Sequence, residues 1–96
     1  MDINKLFNID GKIALITGGS RGIGEMIAAG FLANGVKVYI TARKEAPLIE
    51  KAKELSEKFN GECIAIPCDL SNMEGIQKLA SDYLNHEDSL DILVNN

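Results

Sequence analysis

The sequence predicts an α/β protein built on a doubly wound parallel sheet, with strands in the order 3-2-1-4 and helices on both faces. Three observations carry that expectation. Short runs rich in Ile, Val and Leu alternate with longer segments whose apolar residues recur at helical spacing. Two of the short runs, Ile13-Ala14-Leu15-Ile16 and Ile92-Leu93-Val94, are apolar at consecutive positions, as parallel strands covered on both faces must be. A glycine-rich segment lies where the first such run gives way to the first helical stretch. With 96 residues, 46% of them apolar, there is material for one domain or part of one, and 1–96 reads as the N-terminal part of a single domain.

Strands are expected over 12–17, 36–42, 62–67 and 90–95. The first helix should run from about Gly22 to Asn34, burying Ile23, Ile27 and Phe31, with Gly35 as its C-terminal cap. The second begins near Pro47, a residue tolerated in a first turn, buries Leu48, Ala52, Leu55 and Phe59, and stops at Asn60-Gly61. The third opens with Ser71-Asn72-Met73-Glu74, which has the pattern of a capping box, and should carry Ile76, Leu79, Ala80 and Tyr83 on one face.

Composition narrows the function. A formal charge of −4 argues against a nucleic-acid binder or a polybasic membrane-surface protein, because neither phosphate backbones nor anionic lipids would be attracted. No apolar run approaches the roughly 18 residues of a membrane span, and Met1-Asp2-Ile3-Asn4-Lys5 lacks the basic flank and apolar stretch of a signal peptide. The chain reads as cytoplasmic. Cys63 and Cys68 are too few for a disulfide scaffold or a four-ligand zinc site and read as buried free thiols, with no metal site expected. His86, in the polar stretch Asn85-His86-Glu87-Asp88, reads as a solvated loop residue.

Thr17-Gly18-Gly19-Ser20-Arg21-Gly22-Ile23-Gly24 carries the strongest functional signal. Gly18 permits a tight turn, Gly22 lets the backbone approach a pyrophosphate, and Gly24 lets the helix pack closely on the strands. The helix that follows offers free N–H groups and a partial positive charge to phosphates. The pattern Gly18-x-Ser20-x-Gly22 also satisfies the nucleophile elbow of α/β-hydrolases, with Ser20, Asp69 and His86 as a nominal triad. An elbow normally follows several earlier strands, whereas only a short polar lead precedes this first strand, and Gly24 would have no role. A P-loop is excluded because no Gly-Lys-Ser or Gly-Lys-Thr follows the glycines.

The spacing Gly18-x-x-x-Gly22-x-Gly24 after Thr17 resembles the fingerprint of the short-chain dehydrogenase/reductase family, whose fold is of the Rossmann type. Two further pieces agree. Asp69-Leu70 follows the third strand, where the family's acidic residue meets the adenine ring, and Leu90 to Asn96 resembles the family's fourth strand running into Asn-Asn-Ala-Gly. The resemblance implies that Gly18, Ser20, Arg21, Gly22, Ile23, Gly24, Arg43, Asp69, Leu70, Asn95 and Asn96 form a dinucleotide site. Taken singly, Asp69 reads equally as a turn residue, and Asn95 and Asn96 as strand-end ties. A relative preferring NAD would carry an acid at the end of the second strand to hold the ribose hydroxyl. Here the segment is Tyr39-Ile40-Thr41-Ala42-Arg43, so Arg43 and Arg21 are expected to bind a 2′-phosphate, and NADP (NADPH) is expected over NAD.

The family's chemistry uses a serine, a tyrosine and a lysine four residues after the tyrosine. Tyr39 is followed at that distance by Arg43 and Tyr83 by Glu87, so neither matches, no catalytic residue is assigned, and 1–96 alone is expected to be inactive. The resemblance implies an oxidoreductase acting on a small carbonyl or alcohol substrate, homo-oligomeric in its complete form and closest to 3-oxoacyl-thioester reductases, including the rhamnolipid-biosynthesis type. The chain is expected to be the cofactor-binding front part of such an enzyme. The alternative is a non-catalytic nucleotide-binding or sensor module.

Overall fold

The computed structural model describes residues 8–96, so the reading of Met1-Asp2-Ile3-Asn4-Lys5 lies outside it. Strands β1 (Ile13–Thr17), β2 (Lys37–Ala42), β3 (Cys63–Pro67) and β4 (Ile92–Val94) alternate with helices α1 (Gly22–Ala33), α2 (Glu45–Phe59) and α3 (Met73–Leu84). All pairings are parallel and the order is β3-β2-β1-β4, as the sequence predicts. β1 is central: Ile16 pairs with Ile40 on one side and Val94 on the other.

Because side chains alternate along a strand, the sheet has two separate cores. Ala14, Ile16, Val38 and Ile40 face α1 and α2 and pack with Ala28, Leu32, Leu48, Ala52 and Leu55. Leu15, Tyr39 and Ile66 face α3 and pack with Leu79 and Tyr83. The rings of Tyr39 and Tyr83 meet edge to face, 5.1 Å between centroids. Side chains such as Ile16, Ile40 and Leu48, fully removed from water, each contribute about 1.5–3 kcal/mol by that burial.

Helix ends follow local chemistry. Gly35 (φ +79°) ends α1, and at the end of α2 it is Asn60 (φ 50°), not the neighbouring Gly61, that takes the left-handed conformation. The expected capping box is corrected: Asn72 is the N-cap of α3, its side chain accepting from the Gly75 amide at 2.7 Å. Ser71 is taken up by Asp69, whose carboxylate accepts from both its amide and its hydroxyl.

The buried faces of two helices also differ from expectation. α1 buries Gly24, Ala28 and Leu32, while Ile27 and Phe31 are half-buried and Ile23 is 68% exposed. The small residues at 24 and 28, one turn apart, let the helix axis come close to the sheet, and that contact rotates the bulkier neighbours to the flank. α3 buries Gly75, Leu79 and Tyr83, leaving Ile76 and Ala80 exposed. β4 is covered less than its composition implies, since it is an edge strand and Leu93 is 61% exposed.

Candidate functional site

Parallel strands end on the same edge of the sheet, and here the chain leaves β1 toward α1 on one face while α3 leads into β4 from the other. The gap at that edge is a topological switch point, where doubly wound sheets bind ligands. A cleft of about 870 Å³ lies there. Gly18, Ser20, Arg21, Arg43, Asp69, Leu70, Asn95 and Asn96 all line it, although up to 78 residues separate them in sequence.

The glycine turn is held from three sides. The Gly18 amide donates to the Thr41 carbonyl at 2.9 Å, tying the turn to the end of β2. Gly18 (φ +71°) and Gly22 (φ +62°) adopt the left-handed backbone that glycine tolerates. A Cβ at Gly22 would meet open space, so the chain there presents bare backbone, whereas a Cβ at Gly24 would lie 2.3 Å from the Gly18 oxygen. Gly24 therefore serves packing between α1 and the turn. Gly19 has a similar role that the fingerprint spacing does not mark: its Cβ would fall 2.4 Å from Ile40 Cγ2. Arg21 is the N-cap of α1, with extended backbone and no side-chain cap, so the first amides of the helix are not satisfied by a capping side chain. Gly22, Ile23 and Gly24 do not line the cleft themselves.

The far side of the turn is closed by β4. Thr17 Oγ1 accepts from the Asn96 amide at 2.9 Å and donates to Asn95 Oδ1 at 3.2 Å, while Asn96 Nδ2 donates to the Gly18 carbonyl at 3.3 Å. Asn95 and Asn96 thus bind the strand end and the glycine turn together while still facing the cleft.

Cations gather at the end of β2. Arg21, Arg43 and Lys44 line the cleft, and none of them makes an ion pair with a carboxylate among the described residues. Asp69 lines the same cleft. Hydrogen bonds from the Ser71 hydroxyl and amide, helped by the charge of Arg43, hold its carboxyl below the usual range, so it is ionised and able to accept at neutral pH. Cys68 lines the cleft as a thiol pushed up by burial, and Cys63, deeper under β3, is pushed up to about 12. Both are buried and free. Lys44, Pro47, Glu50, Lys51 and Glu54 also line the cleft. The sequence signal for Pro47, Glu50 and Glu54 is their spacing on the polar side of α2, which says that they face away from the core and not what they face, while Lys51 flanks the buried stripe.

The hydrolase alternative fails on geometry. Ser20 and Asp69 share the cleft, but His86 does not line it and lies instead 6.2 Å from the Tyr39 ring. Among the described residues no group of His, Cys, Asp and Glu is arranged to hold a metal, and no helix is long and apolar enough to cross a membrane.

An open parallel sheet with a glycine turn at its switch point, and cations beside it that pair with no carboxylate among the described residues, defines a nucleotide-binding protein of the Rossmann type. The chain belongs to the short-chain dehydrogenase family, whose model matches residues 12–96. It is 49% identical over 90 residues to the rhamnolipids biosynthesis 3-oxoacyl-[acyl-carrier-protein] reductase of Pseudomonas aeruginosa, covering 94% of this chain and 34% of that protein. It is 40% identical over 89 residues to a fatty acyl-CoA reductase of Acinetobacter baylyi, covering 93% of this chain and 30% of that one. Among solved structures it superposes on the RhlG/NADP active-site complex of Pseudomonas aeruginosa with a TM-score of 0.88 at 49% identity, over 94% of this chain and 36% of that one. The chain spans about a third of the length of the curated relatives it matches.

Proposed function

We propose that this chain supplies the NADP(H)-binding site of a short-chain oxidoreductase that reduces a carbonyl compound, a 3-oxoacyl thioester being the substrate class that the relatives favour. The observation that carries this reading is that Arg21 and Arg43 line the same cleft, beside a β2 that ends in Thr41-Ala42 with no acid. The 2′-phosphate would be held by these two guanidinium groups, the pyrophosphate by the bare backbone at Gly22 and the first amides of α1, and the adenine amine by the Asp69 carboxylate. The cradle fits the group: a Cβ at Gly22 would stand in open space, and Arg21 and Arg43 pair with no carboxylate among the described residues. When bound, the nicotinamide supplies the hydride. The residues of this chain bind and orient it; in this reading 1–96 is the N-terminal part of one cytoplasmic domain, and the proton donor is not among these residues. The NADP complex of the Pseudomonas aeruginosa relative supports the choice of cofactor.

The test is cofactor preference. Each guanidinium–phosphate hydrogen bond is worth roughly 1.5–3 kcal/mol, so Arg43→Ala should weaken NADPH binding about tenfold to a hundredfold and leave NADH nearly unchanged. Ala42→Asp should repel the phosphate and accept from the ribose hydroxyls, tipping the preference toward NADH. Titrations of both cofactors at fixed ionic strength decide it. Equal affinities in the unmodified protein would remove the reading at its root.

A further inference from the structure

The α2 wall of the cleft is acidic, although the ligand proposed for the cleft is a polyanion. Glu50 and Glu54 lie on the side of α2 away from Leu48, Ala52 and Leu55, Lys51 flanks the buried stripe, and all three line the cleft. Lys51 Nζ sits 3.1 Å from Glu25 Oε1, in the first turn of α1, and 3.0 Å from Glu54 Oε2. One ammonium thus spans two helices and engages two carboxylates. The Lys51 side chain is 21% exposed, against 57% for Glu54, so the cation is the more enclosed partner. The remaining cations of the lining, Arg21, Arg43 and Lys44, carry no carboxylate partner among the described residues. The lining therefore divides into Arg21 in the glycine turn with Arg43 and Lys44 after β2, none paired among the described residues, and an α2 wall whose negative charge Lys51 offsets.

We propose that Lys51 is a positioning residue for the phosphate-bearing cofactor: it ties the first turn of α1 to α2 and screens Glu25 and Glu54 from the phosphates. This rests on the dinucleotide reading above. Carboxylates lining the cleft repel a bound phosphate, and salt reduces that repulsion. Removing Lys51 exposes two carboxylates at once, and the 2′-phosphate adds up to two charges to the ligand that feels them.

Lys51→Gln should weaken NADP⁺ binding about threefold to tenfold at about 0.05 M salt, weaken NAD⁺ binding less, and lose most of the difference at about 0.5 M salt. Lys51→Arg should retain the unmodified affinities. Glu54→Gln alone should tighten NADP⁺ about twofold, and Lys51→Gln combined with Glu54→Gln should recover most of the lost affinity. That recovery is the readout a merely structural bridge would not give. Calorimetric titrations with NADP⁺ and NAD⁺ on the protein and its variants, each checked for an intact thermal transition, measure all of these. Equal loss for both cofactors, no salt dependence or no recovery in the double variant would overturn the proposal. If Lys51→Gln does not fold, Glu54→Gln decides: unchanged or weaker NADP⁺ binding overturns it. Should the unmodified protein bind neither dinucleotide, the underlying reading falls; should it prefer NADP⁺ with Lys51→Gln leaving that preference untouched, only the role of Lys51 falls.

Discussion

Glycines in α1 have opposite meanings at positions 24 and 30. A methyl at Gly24 would lie 2.3 Å from the Gly18 carbonyl oxygen and 2.8 Å from Asn96 Nδ2, neither of which can move without opening the turn or releasing β4. At Gly30 the same methyl meets nothing within 4 Å. Gly24→Ala should therefore destabilise by at least the roughly 1–3 kcal/mol of ordinary overpacking. Gly30→Ala, in the helix interior, should stabilise by about 0.5–1 kcal/mol through the unfolded chain and helix propensity. Urea midpoints of the two variants measure the contrast. If both substitutions shifted stability in the same direction, the close contact of α1 with the glycine turn would be wrong.

Two elements of the α3 arm carry their own predictions. Asn72 caps α3 and Ser71 belongs to Asp69, so Asn72→Ala should cost about 1 kcal/mol of stability, while Ser71→Ala should cost less and instead free Asp69. Chemical denaturation compares the two, and a larger loss at Ser71 would restore the capping box. Beyond the helix, Glu87 accepts from Tyr39 Oη at 2.5 Å and pairs with Lys37 at 2.5 Å, joining the connection after α3 to the start of β2. The Lys37 ammonium and the Tyr39 hydroxyl hold the Glu87 carboxyl below its usual value. An unfolded glutamate binds its proton near pH 4.3, so this contribution is full above that pH and is lost as acidification passes through the lower folded value. The Tyr39 hydroxyl, pushed up to about 12 by burial and by Glu87, and the raised Lys37 act on the alkaline side, where stability falls as the pH rises above about 10. Glu87→Gln should cost about 1–3 kcal/mol at neutral pH and flatten the acid limb, measured as urea midpoints between pH 3 and 7.

Over the whole molecule the two faces of the sheet are finished unequally. Among the described residues α1 and α2 seal one face and α3 alone covers the other, leaving Met73, Ile76 and Leu84 exposed on that helix and Leu93 exposed on the edge strand β4. Apolar surface beside an unpaired strand edge favours association. The 96-residue chain by itself should sediment faster as its concentration rises, and Leu93→Lys should suppress that rise by charging the edge. Concentration-independent monomers in both forms would show the surface to be inert.

The order and type of the elements were legible in the sequence because periodicity is local: consecutive apolar residues specify a strand, and spacings of three and four specify a helix. The glycine turn was legible for the same reason, since left-handed backbone at Gly18 and Gly22 is a property of the residue itself. So was the missing acid at the end of β2. What only the tertiary structure decided depends on segments far apart in the chain. Asn96 reaches Gly18 across 78 positions, Gly19 fits only because Ile40 of the neighbouring strand passes it, and Lys51 bridges Glu25 because two helices share one face. The buried side of α1 belongs here too. Periodicity marks Ile23, Ile27 and Phe31 as an apolar stripe, yet close approach to the sheet selects Gly24, Ala28 and Leu32, since packing distance, not hydrophobicity alone, sets how a helix turns toward its core.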